Sequence, residues 1–445
     1  MRKGKAITLL TIISLITAFI LVMTFVRFSV GVKNYNSVLG AIDLNYDLGG
    51  GTAYTLTLSE DNEKEVDNIN DVLQTIRYRL SALGYSAENV KAVKNADSAV
   101  KDYDIRIEER APINNYGKLN EAQLASDIAI VAAFGELQFF GGETSNPSTE
   151  ILTDVNVIAD AYYAGSVADD QGNVSYQVVI TLTQEAKDFV FSEIDRVGEN
   201  KYYLAIKLGE TELLSGSSAL SKEYFSGNSI PIATSSEYGA RQAALQIKSG
   251  GLEYKYEISD PIAISSPYGE KVFEKSMSAI GVLVVAIIVA FVVMFKGLGV
   301  AYGYSMLLFI LLEIIMLIAV PGIRLSLAGV LGIIFATMVC ADGFIITARK
   351  IKEDYAMGKT VKSAVKVGYK RSLMPILCSG IVCGLVGLVI FAFVGGSIKC
   401  FGITFAIGSV ISVVANLLFG KLFTSLFLPL VKNKEKFLNL KRDGE

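Results

Sequence analysis

Histidine is absent from all 445 residues of the chain. Its absence excludes metal sites built on imidazole and general bases of the histidine type. Cysteine occurs four times, in each case in or beside a long apolar segment: Cys340, Cys378, Cys383 and Cys400. The polar part of the chain therefore has no disulfide framework. We interpret the cysteines as small packing residues of a membrane region.

Enzyme signatures are missing as well. The sequence contains no GxSxG motif, no P-loop and no cluster of metal ligands. The three glycines at 49–51 are reminiscent of a phosphate-binding loop, but they precede a strand-like segment instead of opening a helix. A turn is the favoured interpretation. We expect no enzymatic activity, no cofactor and no nucleic-acid partner.

Long apolar runs are what the chain does have, since apolar residues make up 51% of it. Six segments reach the length of about 20 residues that crosses a hydrocarbon core. They are 7–28, 277–295, 298–320, 325–348, 373–395 and 401–431. The fold class is therefore an α-helical membrane protein with one helix at the front and five in a block. The domain boundaries that follow are 1–28, 29–276, 277–431 and 432–445.

Charge divides the chain in the same way. Residues 29–276 hold 20 Lys and Arg against 37 Asp and Glu, whereas the remainder holds 21 against 7. Basic residues cluster before the first segment, at 349–371 and at 432–442. The positive-inside rule therefore places both termini on the cytoplasmic side and the acidic domain outside. A cleaved signal peptide is the alternative for the first segment, but its length and the lack of a small-x-small cleavage site favour a retained anchor.

The acidic domain shows two rounds of strand and helix, which indicate an α+β architecture. Predicted strands are 52–58, 90–94, 103–108, 175–182, 202–208 and 229–233. Predicted helices are 64–84, 118–134, 184–198 and 236–249. A stretch rich in Gly, Ser and Asn at 141–149 separates the rounds. We therefore expect two subdomains with a hinge near 141–173.

Asp342 lies within an otherwise uncharged run from Leu325 to Ala348. A charged carboxylate at the bilayer centre costs about 2.5 to 3.5 kcal/mol, so such acids usually face a bundle interior or a water path. Asp342 is therefore the first candidate for proton or ion transfer. Two structural interpretations stay open, a hydrogen bond in helix packing and snorkelling towards the end of the segment near Arg349. Glu313, within the third segment, is a second candidate.

Short motifs follow one another in an order that carries a family resemblance. They are DLGGGT (47–52, with Gly49 and Gly50), RLSALG (79–84), LAIKLGETELLSG (204–216), ARQAALQIKSGGL (240–252), LAGVLGII (327–334, with Gly329 and Gly332), GYKR (368–371, with Gly368, Lys370 and Arg371) and IKCF (398–401, with Lys399). Together with Asp342 and the helix layout, they resemble the SecD family of the resistance-nodulation-division superfamily. The resemblance extends over nearly the whole chain.

The resemblance implies a function and a set of partners. A SecD-like subunit assists the Sec protein-export channel, and proton passage past Asp342 would drive an exported domain of ferredoxin-like units that handles an unfolded preprotein. The implied partners are a SecF-like second subunit, a SecYEG-type channel and the lipid bilayer. Gly343, Phe344 and the segment 378–380 depart from the family pattern. These departures leave Asp342 with fewer polar neighbours than the acid of its relatives has.

Two rival functions stay open from the residues. A divergent exporter of lipid or small molecules would have a continuous apolar tunnel through its exported domain. A non-transporting scaffold or sensor would use Asp342 for packing alone. The sequence distinguishes neither these alternatives nor coupling to protons from coupling to sodium.

Overall fold

A computed structural model describes residues 3–30, 33–59, 68–94, 103–113, 118–135, 137–152, 157–168, 174–198, 200–209, 211–250, 252, 254–320 and 323–440. Its contacts divide the chain into two compact units. The membrane unit comprises Met1–Gly51, Glu109–Asn120 and Ala263–Glu445, and the α+β unit comprises Thr52–Glu108 and Glu121–Ile262. Each unit is described by itself.

The described residues form helices α1 (Lys3–Phe25), α2 (Tyr46–Gly49), α3 (Ile69–Ala82), α4 (Glu121–Ala132), α5 (Gln184–Val197), α6 (Glu237–Ser249), α7 (Val272–Phe295), α8 (Gly297–Ala319), α9 (Leu327–Ala356), α10 (Val361–Phe393), α11 (Gly396–Val414), α12 (Lys421–Phe427) and α13 (Lys434–Phe437). A π-helical turn, Ala415–Gly420, joins α11 to α12. Two short 3₁₀ turns lie at Leu39–Ala41 and Lys222–Tyr224.

The strands are β1 (Phe28–Val30), β2 (Lys33–Tyr35), β3 (Gly51–Leu58), β4 (Val90–Lys94), β5 (Tyr103–Glu109), β6 (Leu137–Gly142), β7 (Glu150–Ile151), β8 (Ile158–Ala168), β9 (Val174–Leu182), β10 (Tyr202–Leu208), β11 (Thr211–Leu214), β12 (Ala219–Leu220), β13 (Ser229–Thr234), β14 (Tyr256–Ile258) and β15 (Ile262–Ile264). Each strand predicted from the sequence is present. The long strand β8 was not predicted, because its sequence lacks a regular alternation of apolar and polar residues.

Within the described residues, six helical spans are long and apolar enough to cross a membrane. They are α1, α7, α8, α9, α10 and the continuous span Gly396–Phe427, which confirms the six predicted segments. The prediction was wrong in one respect, since α9 continues to Ala356 and α10 begins at Val361. The basic stretch 349–371 is therefore mostly helical, with a connection of four residues.

These helical extensions are held by their own buried contacts. Ile351 and Tyr355 of α9 and Ala364 of α10 are buried. A methyl group added at Gly368 would lie 2.6 Å from Ile351 Cγ1 and 3.0 Å from its Cα, so the two helices are in close contact there. Packing between the helices thus continues beyond the length that hydropathy alone indicates.

The first sheet of the α+β unit has the strand order β14-β3-β5-β4. Its edge strand next to β3 comes from the far end of the unit, nearly 200 residues later in the chain. The order is that of a ferredoxin-like sheet, with β14 in the place of the fourth strand. The strand that follows α4, β6, pairs with β10 of another sheet. The last strand of each round of strand and helix is therefore part of a sheet formed by the other round: β6 pairs with β10, and β14 pairs with β3.

A second core in this unit lies among α5, α6 and two sheets, β13-β9-β8 and β11-β10-β6-β7. Its fully buried residues include Ile180, Ile194, Ile206 and Ile230. The predicted start of α5 is confirmed, because Thr183 Oγ1 accepts a hydrogen bond from the Ala186 backbone N–H at 3.4 Å.

Arg79, the first residue of the RLSALG motif, is fully buried near the end of α3. Its Nη1 donates to the carbonyl oxygens of Val131 and Ala133 at 3.0 and 2.8 Å. Its Nε donates to Ser249 Oγ at 2.8 Å and its Nη2 to the Gly250 carbonyl at 3.0 Å. Burial lowers the pKa of the guanidinium to about 10, so it is still charged at neutral pH. One side chain therefore satisfies carbonyls at the ends of α4 and α6 and joins them to α3.

We expect Arg79→Ala to lower the free energy of unfolding by about 3 to 5 kcal/mol, because it leaves several buried acceptors without a donor. Urea unfolding of the full-length protein in detergent, followed by tyrosine fluorescence, measures the change. Arg77→Ala is the matched control, since Arg77 is exposed on the same helix and donates one hydrogen bond, to Val90 O at 2.8 Å. Its expected cost is about 1 kcal/mol. Equal losses from both variants would contradict the role given to Arg79.

Candidate functional site

Asp342 lies near the middle of α9, and its side chain is exposed. Exposed residues on the same face follow helical spacing: Leu331, Phe335, Met338, Asp342 and Arg349. This stripe, which we call the α9 face, is apolar except for Asp342 and for Arg349 near its end. A carboxylate here would meet lipid directly unless another protein surface or water covers it.

The contacts of Asp342 give no support to a role in helix packing, whereas snorkelling towards Arg349 stays open. Within the part of the chain that the structure describes, its carboxylate has no hydrogen bond and no ion pair. Arg349 lies two turns further on the same face and is likewise exposed. Asp342 therefore packs against no other described part of this unit. Its function depends on what covers the α9 face.

Close packing against α11 fixes the rotation of α9. A methyl group added at Gly332 would overlap Thr404 Oγ1 and lie 2.8 Å from the Phe401 carbonyl oxygen. Thr404 Oγ1 also donates to the Gly329 carbonyl at 3.0 Å. Glycine at these two positions allows the helix backbones to approach, as the sequence indicates. The α9 face lies beside this contact, since the Phe335 ring packs edge-on against Phe401 and Phe405 of α11, and the contact thereby fixes the direction in which Asp342 points.

The first turn of α9 is held by the DLGGGT segment. Asp47 Oδ2 accepts a hydrogen bond from the Leu327 backbone N–H at 2.7 Å, which places a carboxylate at the N-terminus of α9. The Ser326 side chain caps the same helix by accepting from Gly329 N at 3.1 Å. Asn45 N donates to the Leu325 carbonyl at 2.9 Å, just ahead of this cap. The motif is thus a support for the helix that carries Asp342.

Gly49 and Gly50 form a turn. Gly49 ends the four-residue helix α2, and Gly50 has a φ of +66°, a conformation that favours glycine. Arg110 Nη1 donates to the carbonyl oxygens of both glycines. The side chain of Arg110 occupies the space beside Gly49. These contacts hold the turn by its backbone carbonyls, which is the opposite of a phosphate cradle built from N–H groups.

Glu313 lies in α8 and is fully buried. Neither of its carboxylate oxygens has a hydrogen-bond partner among the described residues. The side chain abuts Gly408 of α11, where a methyl group would overlap Glu313 Oε1. The two intramembrane acids therefore have opposite environments, since Asp342 is exposed and Glu313 is enclosed. In the residues that the structure describes, no group of three or more Cys, Asp or Glu is arranged to hold a metal ion.

The basic residues of the GYKR and IKCF segments lie at opposite ends of the helices, away from both acids. Arg371 Nη1 donates to Asp354 Oδ1 at 3.1 Å, and Lys359 Nζ donates to the same oxygen. Asp354 is buried, so this ion pair fixes the connection between α9 and α10. Lys370 is exposed, and Lys399 Nζ lies 5.0 Å from the centre of the Phe391 ring. These contacts are typical of anchors at the ends of membrane helices.

Comparison with known proteins addresses the family resemblance. No protein-family model matches the chain. SecD from Acidaminococcus fermentans is 24% identical over 417 residues, which cover 92% of this chain and 88% of that protein. SecD from Sebaldella termitidis is 24% identical over 404 residues, covering 90% of this chain and 93% of that protein. SecD from Aquifex aeolicus is 25% identical over 187 residues, which are 42% of this chain and 37% of that protein.

A crystal structure of SecDF in its super-membrane-facing form has the same fold. It matches 95% of this chain with a TM-score of 0.71 at 21% identity, and this chain spans 57% of the SecDF chain. End-to-end matches to two SecD proteins and a shared fold agree with the order of the motifs. Over nine-tenths of its length the chain is similar to SecD proteins. The likeness is distant, as the identities near 24% indicate.

Contacts in this fold explain several residues of the SecD-like motifs. DLGGGT supports the start of α9, Arg79 of RLSALG is a buried link between helix ends, and Ser249 and Gly250 of the last soluble motif accept its hydrogen bonds. The departure from the SecD pattern at Gly343 also has a reason. A methyl group there would lie 2.7 Å from the amide atoms of Asn416, so glycine makes room for that side chain.

Sequence reasoning missed Asn416. It is buried in the π-helical turn, and its Nδ2 donates to the carbonyl oxygens of Cys340 and Ser412 at 3.1 and 2.8 Å. Its Oδ1 has no hydrogen-bond partner among the described residues. A π-helical turn in a membrane helix often marks a functional position. In the sequence it is a single asparagine in the sixth apolar segment. A single residue forms no motif, so nothing there indicated its role.

We expect Gly332→Ala to destabilise the SecD-like membrane unit by about 1 to 3 kcal/mol, because the added methyl group overpacks the contact between α9 and α11. The thermal unfolding midpoint of the full-length protein in detergent reports the change. Gly384→Ala is the matched control, since a methyl group at this glycine of α10 would have no atom within 4 Å. A control variant as unstable as Gly332→Ala would show that the glycine contact is not what holds α9.

Proposed function

We propose that this chain is a SecD-like subunit of the Sec export machinery that uses the proton motive force to promote late steps of preprotein translocation across the cytoplasmic membrane. Two end-to-end matches to SecD proteins support the family role. The observation that carries the mechanism is the unpaired carboxylate of Asp342 at mid-helix on the exposed α9 face.

The proposed orientation follows from the basic residues. Arg349 and Arg371 in the helical extensions, and Lys359 in the connection between them, lie at one end of α9 and α10. The positive-inside rule assigns that end to the cytoplasm. The N-terminus and the basic C-terminal tail lie on the same side. The α+β unit, with its excess of acidic residues, then lies outside. Leu327, at the opposite end of α9, is on the outer side together with the DLGGGT turn.

A second six-helix subunit is the proposed partner for the α9 face. An isolated carboxylate facing lipid is costly, whereas a carboxylate in an interface between subunits can meet water or polar side chains. This chain spans 57% of the SecDF chain whose fold it shares, which leaves room for a further set of helices. A SecF-like subunit supplies them in this proposal, with a SecYEG-type channel and an unfolded preprotein as the remaining partners.

Protonation of Asp342 is the proposed coupling step. The protonated side chain is neutral and tolerates an apolar interface, whereas the ionised form must recruit water or a cation. Each proton that crosses a potential of 100 mV releases about 2.3 kcal/mol, which shifts a conformational equilibrium about fiftyfold. Because α9 is locked to α11 and held at its first turn by Asp47, a shift of α9 carries both contacts with it. Asp47 precedes β3, the first strand of the α+β unit, by four residues.

We expect Asp342→Asn to abolish the part of protein export that a proton gradient stimulates, because the amide takes up no proton. Export into vesicles that contain the chain, its SecF-like partner and the channel measures this with and without an imposed gradient. Asp342→Glu is the control that keeps a titratable carboxyl and should retain stimulation. Equal stimulation in wild type and Asp342→Asn would favour a scaffold. Gradient-driven lipid movement with no effect on preprotein would favour the lipid-exporter alternative.

We also expect a photo-crosslinker at Met338 to capture the SecF-like subunit, because Met338 lies one turn from Asp342 on the α9 face. Crosslinking in membranes, followed by mass spectrometry of the products, makes the measurement. Val289 on α7 is the matched position, since it is similarly exposed at 55% against 49% for Met338 but lies on a different helix. Capture of lipid alone at Met338, with the partner present, would contradict the proposed interface.

A further inference from the structure

Glu313 is a buried ionisable group that has no role in the mechanism proposed above. It lies at 0% exposure in the middle of α8. It lies where three helices come together, because Gly408 of α11 adjoins both the Glu313 carboxyl group and Ala336 of α9. A methyl group at position 408 would overlap both Glu313 Oε1 and Ala336 Cβ. Glycine at this position therefore makes the space that the carboxyl occupies.

In the part of α11 that follows Gly408 and in the π-helical turn after it, the described hydroxyl and amide donors are engaged with backbone carbonyls. On α11, Ser409 Oγ and Ser412 Oγ each donate to a backbone carbonyl, of Phe405 and Ser409 respectively, at 2.7 Å. Both hydrogens of the Asn416 amide point at carbonyl oxygens, while its Oδ1 accepts nothing from the described residues. A carboxylate needs donors, whereas a carboxylic acid can donate its own hydrogen. The arrangement therefore suits the neutral form of Glu313.

The charged groups of the neighbouring helices lie too far along the chain to pair with Glu313. On α7 they are Glu274 and Lys275 in the first turn, and on α11 Lys399 occupies the first turn. Asp342 of α9 is on the opposite, exposed face, and Lys421 of α12 is exposed. Lys3 and Lys5 are in the first turn of α1. On the buried side of α9, between Leu327 and Ala348, the titratable side chain is the thiol of Cys340.

We propose that Glu313 is a second proton-binding site of this chain, separate from Asp342, and that the packing of α8 against α9 and α11 holds its proton. An ionised carboxyl without donors or a cation is not sustained in so enclosed a place. A hard metal cation requires several oxygen ligands. Among the described residues no group of three or more Cys, Asp or Glu is arranged to hold one. Release of the proton then requires α8 to separate from its neighbours.

The direct test is infrared difference spectroscopy of the purified full-length chain in lipid, which detects the C=O stretch of a protonated carboxyl group. We expect a band at neutral pH in wild type and in Asp342→Asn, and its loss in Glu313→Gln. A band that is missing in wild type, or that persists in Glu313→Gln, would overturn the proposal. Disappearance of the band when sodium is added at constant pH would also overturn it, in favour of a cation site.

Thermal unfolding at several pH values keeps the proposal testable if the infrared band is masked. The folded state keeps a proton that the unfolded chain releases, so raising the pH must destabilise wild type relative to Glu313→Gln. The same midpoint difference at every pH would contradict a bound proton. Glu274→Gln, which removes an exposed carboxyl group in the first turn of α7, is the control and should follow wild type. Both measurements use the chain alone, so their outcome is independent of whether the export function proposed above is correct.

Discussion

The packing of α9 against α11 is the contact on which the membrane unit depends. Gly329 and Gly332 bring the two backbones together, and Thr404 joins them by a hydrogen bond. In a membrane, lipid tails are as apolar as the helix surfaces, so close packing and interhelical hydrogen bonds hold helices together. This contact fixes the rotation of α9, and the rotation decides that Asp342 faces outward. Without it, the chain would have an acid but no defined direction for its carboxyl group.

The same contact separates the two acids of the membrane unit. Asp342 is outside, on an apolar face where an ionised carboxylate requires a partner surface or water. Glu313 is inside, where it is fully buried beside Gly408 and no described group donates to it. The exposed acid suits exchange of protons with a path between subunits. The enclosed acid suits retention of a proton until the helices move apart.

Length and charge were enough to predict six spans and an acidic α+β domain, because hydropathy and period-two alternation are local properties. The direction of each membrane side chain was not predictable. α9 is apolar on nearly all sides, so no amphipathic pattern marks which face packs. Asn416 and Asp354 were missed for the related reason that their roles depend on contacts with distant residues. The pairing of β14 with β3 joins segments nearly 200 residues apart and leaves no trace in either segment.

Proton movement past Asp342 is the central claim, and proton uptake measures it most directly. Vesicles that contain the chain and its SecF-like partner, with a trapped pH-sensitive dye, receive an imposed gradient in the presence of the channel and a preprotein. The account predicts proton uptake in wild type and its loss in an equally expressed Asp342→Asn variant. Uptake at the same rate in both would contradict Asp342 as the site at which the gradient is coupled to export.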